Sequence, residues 1–441
     1  MGGTSFTDPV APRRDLVEQD ESDTNSGRPH VVLCRWDRLI LEAALATGTA
    51  DITVVIDEWE LANRHIDPQL VARLRALKVI RAFDDMSAMS ELAVQLQSCV
   101  PSITRVISLA EQSQLGAAYL ADVIGTAGPS IETSVLVRNK VAMKRRVTAA
   151  GVRCAAQVAL ESGSRQEVEA AGRRLGWPLV IKPAEGMGTV DTWAIAHIDE
   201  LPEAVQETAR AHALIAEEFV TGDEYHVDAV WTGGEPSDFG VSLYVVPRIE
   251  IRTPGRNNGS LHLREEDFPE IYEELISLGR DVNSALGITD GITHAEFFRT
   301  REGQWVFSEI ATRPAGGAIC NVFSAFGDDL RVRWMKTELG CADDISRSHP
   351  DRPIIGWVNL APETRGVIAR TPDPAALARH PFVRQVIPGH QIGDVVGTLH
   401  PSVWSWMAVI EADDEAQFIE RMRILEIEAA FDIIPESEFT S

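Results

Sequence analysis

GITHAEFFRTREGQWVFSEIATRPAGG, residues 291–317, is the stretch on which the reading of this chain turns. It divides into two strand-like runs, Ile292–Arg299 and Trp305–Ala311, around a turn containing Glu302-Gly303. Alternation puts His294, Glu296 and Phe298 on one face of the first strand, and Phe307, Glu309 and Ala311 on one face of the second. With the turn centred between Glu302 and Gly303, Glu296 and Glu309 are equidistant from it and face each other, Cβ atoms about 5 Å apart. Two carboxylates so placed among Ala295, Phe297, Phe298, Val306 and Phe307 repel and are costly to desolvate. A divalent cation between them removes both costs, and Mg²⁺ is commonly held by one or two carboxylates together with substrate phosphates. A solvated hairpin with two surface glutamates, or one protonated carboxyl, satisfies the same stretch. The rest of the chain has to arbitrate.

Lysine usage bears on the choice. Of 41 basic residues only five are lysines: Lys78, Lys140, Lys144, Lys182 and Lys336. A chain that otherwise uses arginine keeps a lysine where a compact point charge serves better than a planar fork. Lys140 and Lys144, four residues apart on an expected helix over 131–151, share a face. The alternative is an ordinary basic helix surface. Lys182 lies in the apolar run WPLVIKP (Trp177–Pro183), and a buried lysine must be paired or bind something. The glycine loop Glu185-Gly-Met-Gly-Thr189 follows and leads into an expected strand, Val190–Ala196. Strand, glycine loop, strand is not a P-loop, and the Gly-Lys-Ser/Thr ending is missing. Such a hairpin can lie across phosphates through its backbone N–H groups, or be a plain flexible turn.

Further along, ALIAEEFV (213–220) reads as a strand ending in a hinge, and EYHVDAVW (224–231) as the next strand. Backbone groups of Glu217, Glu218, Phe219 and Val220 can serve an adenine edge, and Glu224 has the acceptor capacity to take both ribose hydroxyls, while plain solvation satisfies each of these glutamates taken singly. Upstream, the expected elements alternate: strands 30–37, 51–57, 79–82 and 102–109, helices 39–47, 68–77, 87–97 and 115–124. This pattern gives an open parallel α/β layer, and the lack of GxGxxG after its first strand leaves a dinucleotide-binding site there unsupported. Ser164 and Glu167 form an expected capping box, and Leu201–His212 an expected helix.

The 441 residues are enough for roughly two to four lobes. A net charge of −25 argues against nucleic-acid or anionic-membrane partners. Five widely spaced cysteines and no apolar spanning run point to a reducing, cytoplasmic setting. The expected organisation is a disordered acidic tail (1–29), an N-terminal α/β lobe (30–130), a central subdomain with the glycine loop (131–215), a subdomain with the paired-glutamate hairpin (216–345) and a small α+β closing domain (346–441). The fold class is thus α/β and α+β in several lobes.

The order of these features resembles the ATP-grasp carboxylate–amine ligases, over roughly Asn139–Gly317. The run HAEFF…SEIATRPAGG is most similar to the amino-acid and dipeptide ligase branch. The resemblance implies that Lys140 and Lys182 contact ATP phosphates, that Glu185, Gly186, Gly188 and Thr189 cover them, that Glu217–Val220 and Glu224 hold adenosine, and that Glu296 and Glu309 ligate Mg²⁺. It gives Arg313 the transferred phosphate and substrate carboxylate, with Arg248 as a second carboxylate anchor. His294 reads either as a base for the amine or as a packed histidine. The family's usual Asn two residues after the second glutamate is here Ala311, which puts a second metal ion in doubt. The implied activity joins an amino acid or small carboxylic acid to an amine through an acylphosphate, with a homodimer compatible by analogy. A carboxylase or formate-dependent ligase, and a non-catalytic nucleotide-binding protein, are the competing readings.

Overall fold

The computed structural model describes residues 27–98, 102–253, 255–327, 329–341 and 353–439. The expected tail lies almost wholly outside them. The chain divides into two compact units. One takes the described residues up to Leu136, with Thr312–Pro314 and Arg331–Cys341; the other takes the remainder.

The first unit is built on four parallel strands, β1 (His30–Cys34), β2 (Asp51–Asp57), β3 (Ala76–Ile80) and β4 (Ile103–Ser108), in the order β3-β2-β1-β4. Every residue of β1 and β2 is buried, as expected of a parallel sheet covered on both faces. Asp37 starts the first helix, Arg38–Thr47, by accepting the Ile40 N–H. The expected helix 68–77 is corrected: it ends at Val71, and the chain from Ala76 pairs with β2. Helical spacing in that stretch yields to a parallel ladder that buries Leu77 and Ile80.

The second unit contains β5 (Gln157–Leu160), β6 (Leu179–Pro183), β7 (Trp193–Ile195) and β8 (Leu214–Glu218), joined antiparallel in the order β5-β8-β6-β7. A larger sheet follows, from β9 (Gly222–Thr232), β10 (Glu235–Tyr244), β11 (Gly259–His262), β12 (Gly291–Thr300), β13 (Trp305–Ala311), β14 (Ile354–Leu360), β16 (Val383–Ile387) and β18 (Trp406–Ala412). Its order is β13-β12-β9-β10-β11-β14-β18-β16, so C-terminal strands prolong the sheet that the paired-glutamate hairpin begins. A third sheet joins β15 (Gly366–Arg370), β17 (Val395–Val396) and β19 (Asp432–Ile434).

Four further local expectations are revised. The helix over 131–151 is two helices, Ile131–Arg138 and Lys140–Ala149, because Asn139 turns extended and its side chain accepts the Ala142 N–H. Ser164 makes no capping bond; Glu167 instead accepts the N–H groups of Ser162 and Gly163, at 2.9 and 3.0 Å. The helix expected over 201–212 shrinks to Ala204–Thr208, where Val205 is the one buried anchor. Likewise the strand after the glycine loop is confined to Trp193–Ile195, because Thr189 (φ 57°) and Asp191 (φ 50°) are left-handed.

Candidate active site

Antiparallel pairing of β12 and β13 sets Glu296 directly opposite Glu309 and His294 opposite Ala311. The register has a cause that spacing alone misses. Arg299 pairs with Trp305, so the turn is centred on Glu302 rather than between Glu302 and Gly303. A bulge then inserts Ser308, since Glu296 pairs with Glu309 while Phe297 pairs with Phe307. The two departures cancel at the glutamates. They also move Phe307 to the side of Phe297, whose ring it meets edge-on at 5.6 Å, so Phe307 and Glu309 do not share a face as alternation predicts.

A cleft of about 780 Å³ gathers these glutamates with Lys140, Lys144, Lys182, Gly186–Thr189, Glu217–Val220, Glu224 and Arg248. Its cationic wall is organised by Glu217. One oxygen of this buried carboxylate takes Lys144 Nζ at 2.6 Å and the other takes Lys182 Nζ at 2.9 Å. Burial raises the Glu217 pKa, but the two ammonium groups more than reverse that and hold it ionised. Burial likewise lowers Lys182, and Glu217 with Glu309 brings it back above its ordinary value. For Lys144 burial prevails and its pKa falls. Lys144 is the residue that sequence reasoning left out of the site; its spacing from Lys140 was the signal.

At the other wall Lys140 Nζ stands 3.1 Å from Glu309 Oε2 and also donates to the Gly186 carbonyl. Burial acts to raise the Glu309 pKa, yet Lys140 and Lys182 pull it down to about 2. Glu296 is held more loosely: Tyr244 Oη donates to it from 3.3 Å and His294 Nε2 lies 3.5 Å away. Glu224 is pushed up to about 8, by burial first and then by the charge of Glu296, although it accepts the Arg248 backbone N–H at 2.6 Å. Behind Glu296, His294 Nδ1 is 2.8 Å from Asp228 Oδ1, and His226 Nδ1 is 2.6 Å from Asp228 Oδ2. Burial lowers the His294 pKa, and Asp228 and Glu296 carry it back up to about 9.

The glycine loop is tied at both ends. Arg138 donates to the Glu185 carbonyl and Asn139 to its carboxylate, at 3.2 and 3.3 Å. Ser402 Oγ donates to the Gly188 carbonyl, and His400 Nε2 reaches the Thr189 carbonyl at 3.1 Å. A Cβ on Gly188 would lie 3.0 Å from Ser402 Oγ, which leaves little room for a side chain. Arg248 is braced by Asn258 Oδ1 at 2.6 Å and stacks over Trp404 at 5.1 Å. Arg313 belongs to the first unit, where its guanidinium meets Glu111 Oε2 at 3.1 Å.

Residues 175–322 match the family model described as ATP-grasp domain. The chain is 32% identical to an L-arginine-specific L-amino acid ligase of Bacillus subtilis over 247 residues, 53% of this chain and 57% of that protein. It is 31% identical to a D-alanine--D-alanine ligase of Ralstonia pickettii over 131 residues, 30% of this chain and 37% of that one. The chain spans about half the length of the curated relatives it matches. The crystal structure of an L-amino acid ligase from Bacillus licheniformis superposes with a TM-score of 0.72 at 17% identity, over 93% of this chain and 99% of that one. At that identity the likeness shows the fold.

Proposed function

We propose, on the premise that this chain carries an ATP-grasp domain, that it is an ADP-forming ligase joining an amino acid or small carboxylic acid to an amino acid. The observation that carries the reading is the gathering of Lys140, Lys182, the glycine loop, Glu217–Val220, Glu224, Glu296 and Glu309 around one cleft. The similarity to proteins named amino-acid ligases supports it.

A carboxylate is a poor electrophile because its charge is delocalised. Its oxygen attacks the γ-phosphoryl group of ATP, ADP departs, and an acylphosphate is left. The amine then attacks the acyl carbon, phosphate leaves with its bridging oxygen, and the amine releases a proton. Catalysis of this kind is positioning and charge stabilisation, and needs no protein nucleophile. Lys140 and Lys182 offer point charges to the phosphates, with Lys182 already aimed by Glu217. Backbone N–H groups of Gly186–Thr189 cover the phosphates, the hinge 217–220 receives adenine, and Glu224 receives the ribose. Arg248, and Arg313 by the resemblance, take the substrate carboxylate.

The donor set at the hairpin fits a hard divalent cation: two carboxylates on directly paired positions, one loosely held and one facing a lysine. Glu296 and Glu309 would hold Mg²⁺, which when bound neutralises phosphate charge. No helix among the described residues is long and apolar enough to cross a membrane. A cytoplasmic location and a homodimer remain parts of this proposal.

The test is ADP and phosphate release from ATP against amino acids singly and in pairs, with bicarbonate and formate as separate arms. Release that requires a particular pair supports the ligase. Release with bicarbonate or formate alone replaces it by the carboxylase or formate-dependent reading, and tight ATP binding without release in any arm by the non-catalytic one.

A further inference from the structure

We propose that Ser402 is a positioning residue that couples the glycine loop to Arg248, so that the hold on phosphates at the one and on a substrate carboxylate at the other are set together. The inference rests on the nucleotide and carboxylate roles proposed above for these two parts of the cleft.

Donor and acceptor chemistry fixes the direction of the link. Arg248 Nη2 lies 3.2 Å from the Pro401 carbonyl and 3.3 Å from Ser402 Oγ. A guanidinium can only donate, so Ser402 Oγ accepts there, and its one hydrogen is left for the Gly188 carbonyl. The order is therefore Arg248 to Ser402 to Gly188, across sequence separations of 154 and 214 residues. A second tie runs beside it. The Thr189 carbonyl can only accept, so His400 Nε2 carries the proton of that bond, and Nδ1 is left to accept the Ser402 N–H at 3.1 Å. Burial lowers the His400 pKa, which favours the neutral ring that this arrangement needs. One short segment thus holds two successive loop carbonyls. The planar trans peptide then turns the Thr189 N–H, one of those proposed to cover the phosphates, away from Ser402.

The segment is itself anchored from below. The Pro401 carbonyl also accepts Asn258 Nδ2 at 2.8 Å, and Asn258 Oδ1 accepts Arg248 Nη1 at 2.6 Å. The Asn258 carbonyl in turn accepts the Asn359 N–H at 2.7 Å. Asn359 Nδ2 donates to the Val403 carbonyl at 3.3 Å, and its Oδ1 accepts the Ser405 N–H at 3.2 Å. Both asparagines are fully buried, and a buried polar network whose members are bonded in this way is rigid. Ser402 is therefore held against both partners by the body of the sheet rather than by its own side chain alone. Arg248 has five N–H donors against three acceptors here, Asn258 Oδ1, the Pro401 carbonyl and Ser402 Oγ, so it can take a carboxylate without releasing Ser402.

The experiment is calorimetric binding of ADP with Mg²⁺ to the full chain, in a double-mutant cycle of Ser402→Ala and Arg248→Lys. A lysine there keeps the positive charge and loses the fork that reaches Asn258, Pro401 and Ser402 together. Each single variant is expected to weaken ADP binding by about three- to tenfold, and the double variant no further than the weaker single one. Hydrogen exchange over residues 185–190, read by mass spectrometry without nucleotide, should quicken in Arg248→Lys as it does in Ser402→Ala. Losses that multiply in the double variant, or loop exchange that either single variant leaves unchanged, overturn this inference while the nucleotide reading stands. A parent chain that does not bind ADP overturns both. Should Arg248→Lys fail to fold, Ser402→Ala decides the matter alone: ADP slows exchange over 400–405 in the parent and not in the variant, and any other pattern overturns the link.

Discussion

Glu217 and Glu296 are both carboxylates lining one cleft, and they are held in opposite ways. Glu217 is 3% exposed, with each oxygen bound to a lysine ammonium. Glu296 meets a tyrosine hydroxyl and a histidine at 3.3 and 3.5 Å, and shares its surroundings with the buried Glu224. The first is an internal brace that aims two lysines. The second has coordination capacity left for a ligand. The proposed binding of a nucleotide with a cation would draw on both: fixed positive charge on one wall and unspent negative charge on the other.

Breaking the brace should have the largest effect on the fold. Glu217→Ala leaves two buried ammonium groups without their counter-ion and should cost about 3–5 kcal/mol, read by urea unfolding. Glu296→Gln removes a charge that repels Glu224 and should leave stability unchanged or higher. Equal destabilisation by the two variants would dissolve the contrast. On activity the order reverses. Glu309→Gln should lower kcat by about a hundredfold or more, with a smaller loss of stability than Glu217→Ala because it takes a counter-ion from Lys140 alone; turnover at the parent rate would remove the cation reading. Lys182→Ala should weaken ATP binding by about ten- to a hundredfold, checked by calorimetry, as expected for a lost bond to a charged group. The smallest effect belongs to the loop. Ser402→Ala removes one bond to Gly188 and should change ATP affinity by no more than about tenfold, with stability within about 1 kcal/mol.

The same contrast explains what could be read from the chain alone. The hairpin was legible because alternation and turn chemistry are local, and Glu296 did land opposite Glu309. It landed there through a shifted turn and a bulge at Ser308 that spacing does not reveal. Lys182 was legible because an isolated lysine in an apolar run demands a partner. That the partner is Glu217, shared with Lys144, depends on a contact across 73 residues that no local pattern encodes. The same holds for Ser402 and His400, which reach the glycine loop from more than 200 positions away. The break at Asn139 was open to sequence reasoning: an Asn before a helical run is a capping signal, outweighed here by the helical look of the residues on both sides.

The central claim is that a carboxylate is activated by phosphoryl transfer. It is tested most directly by supplying the substrate carboxylate with heavy oxygen and following the label through turnover. The account predicts one labelled oxygen in each phosphate released, ADP as the nucleotide product, and an amide lighter than its two precursors by one water. Label in AMP, or phosphate free of label while the amide forms, would contradict it.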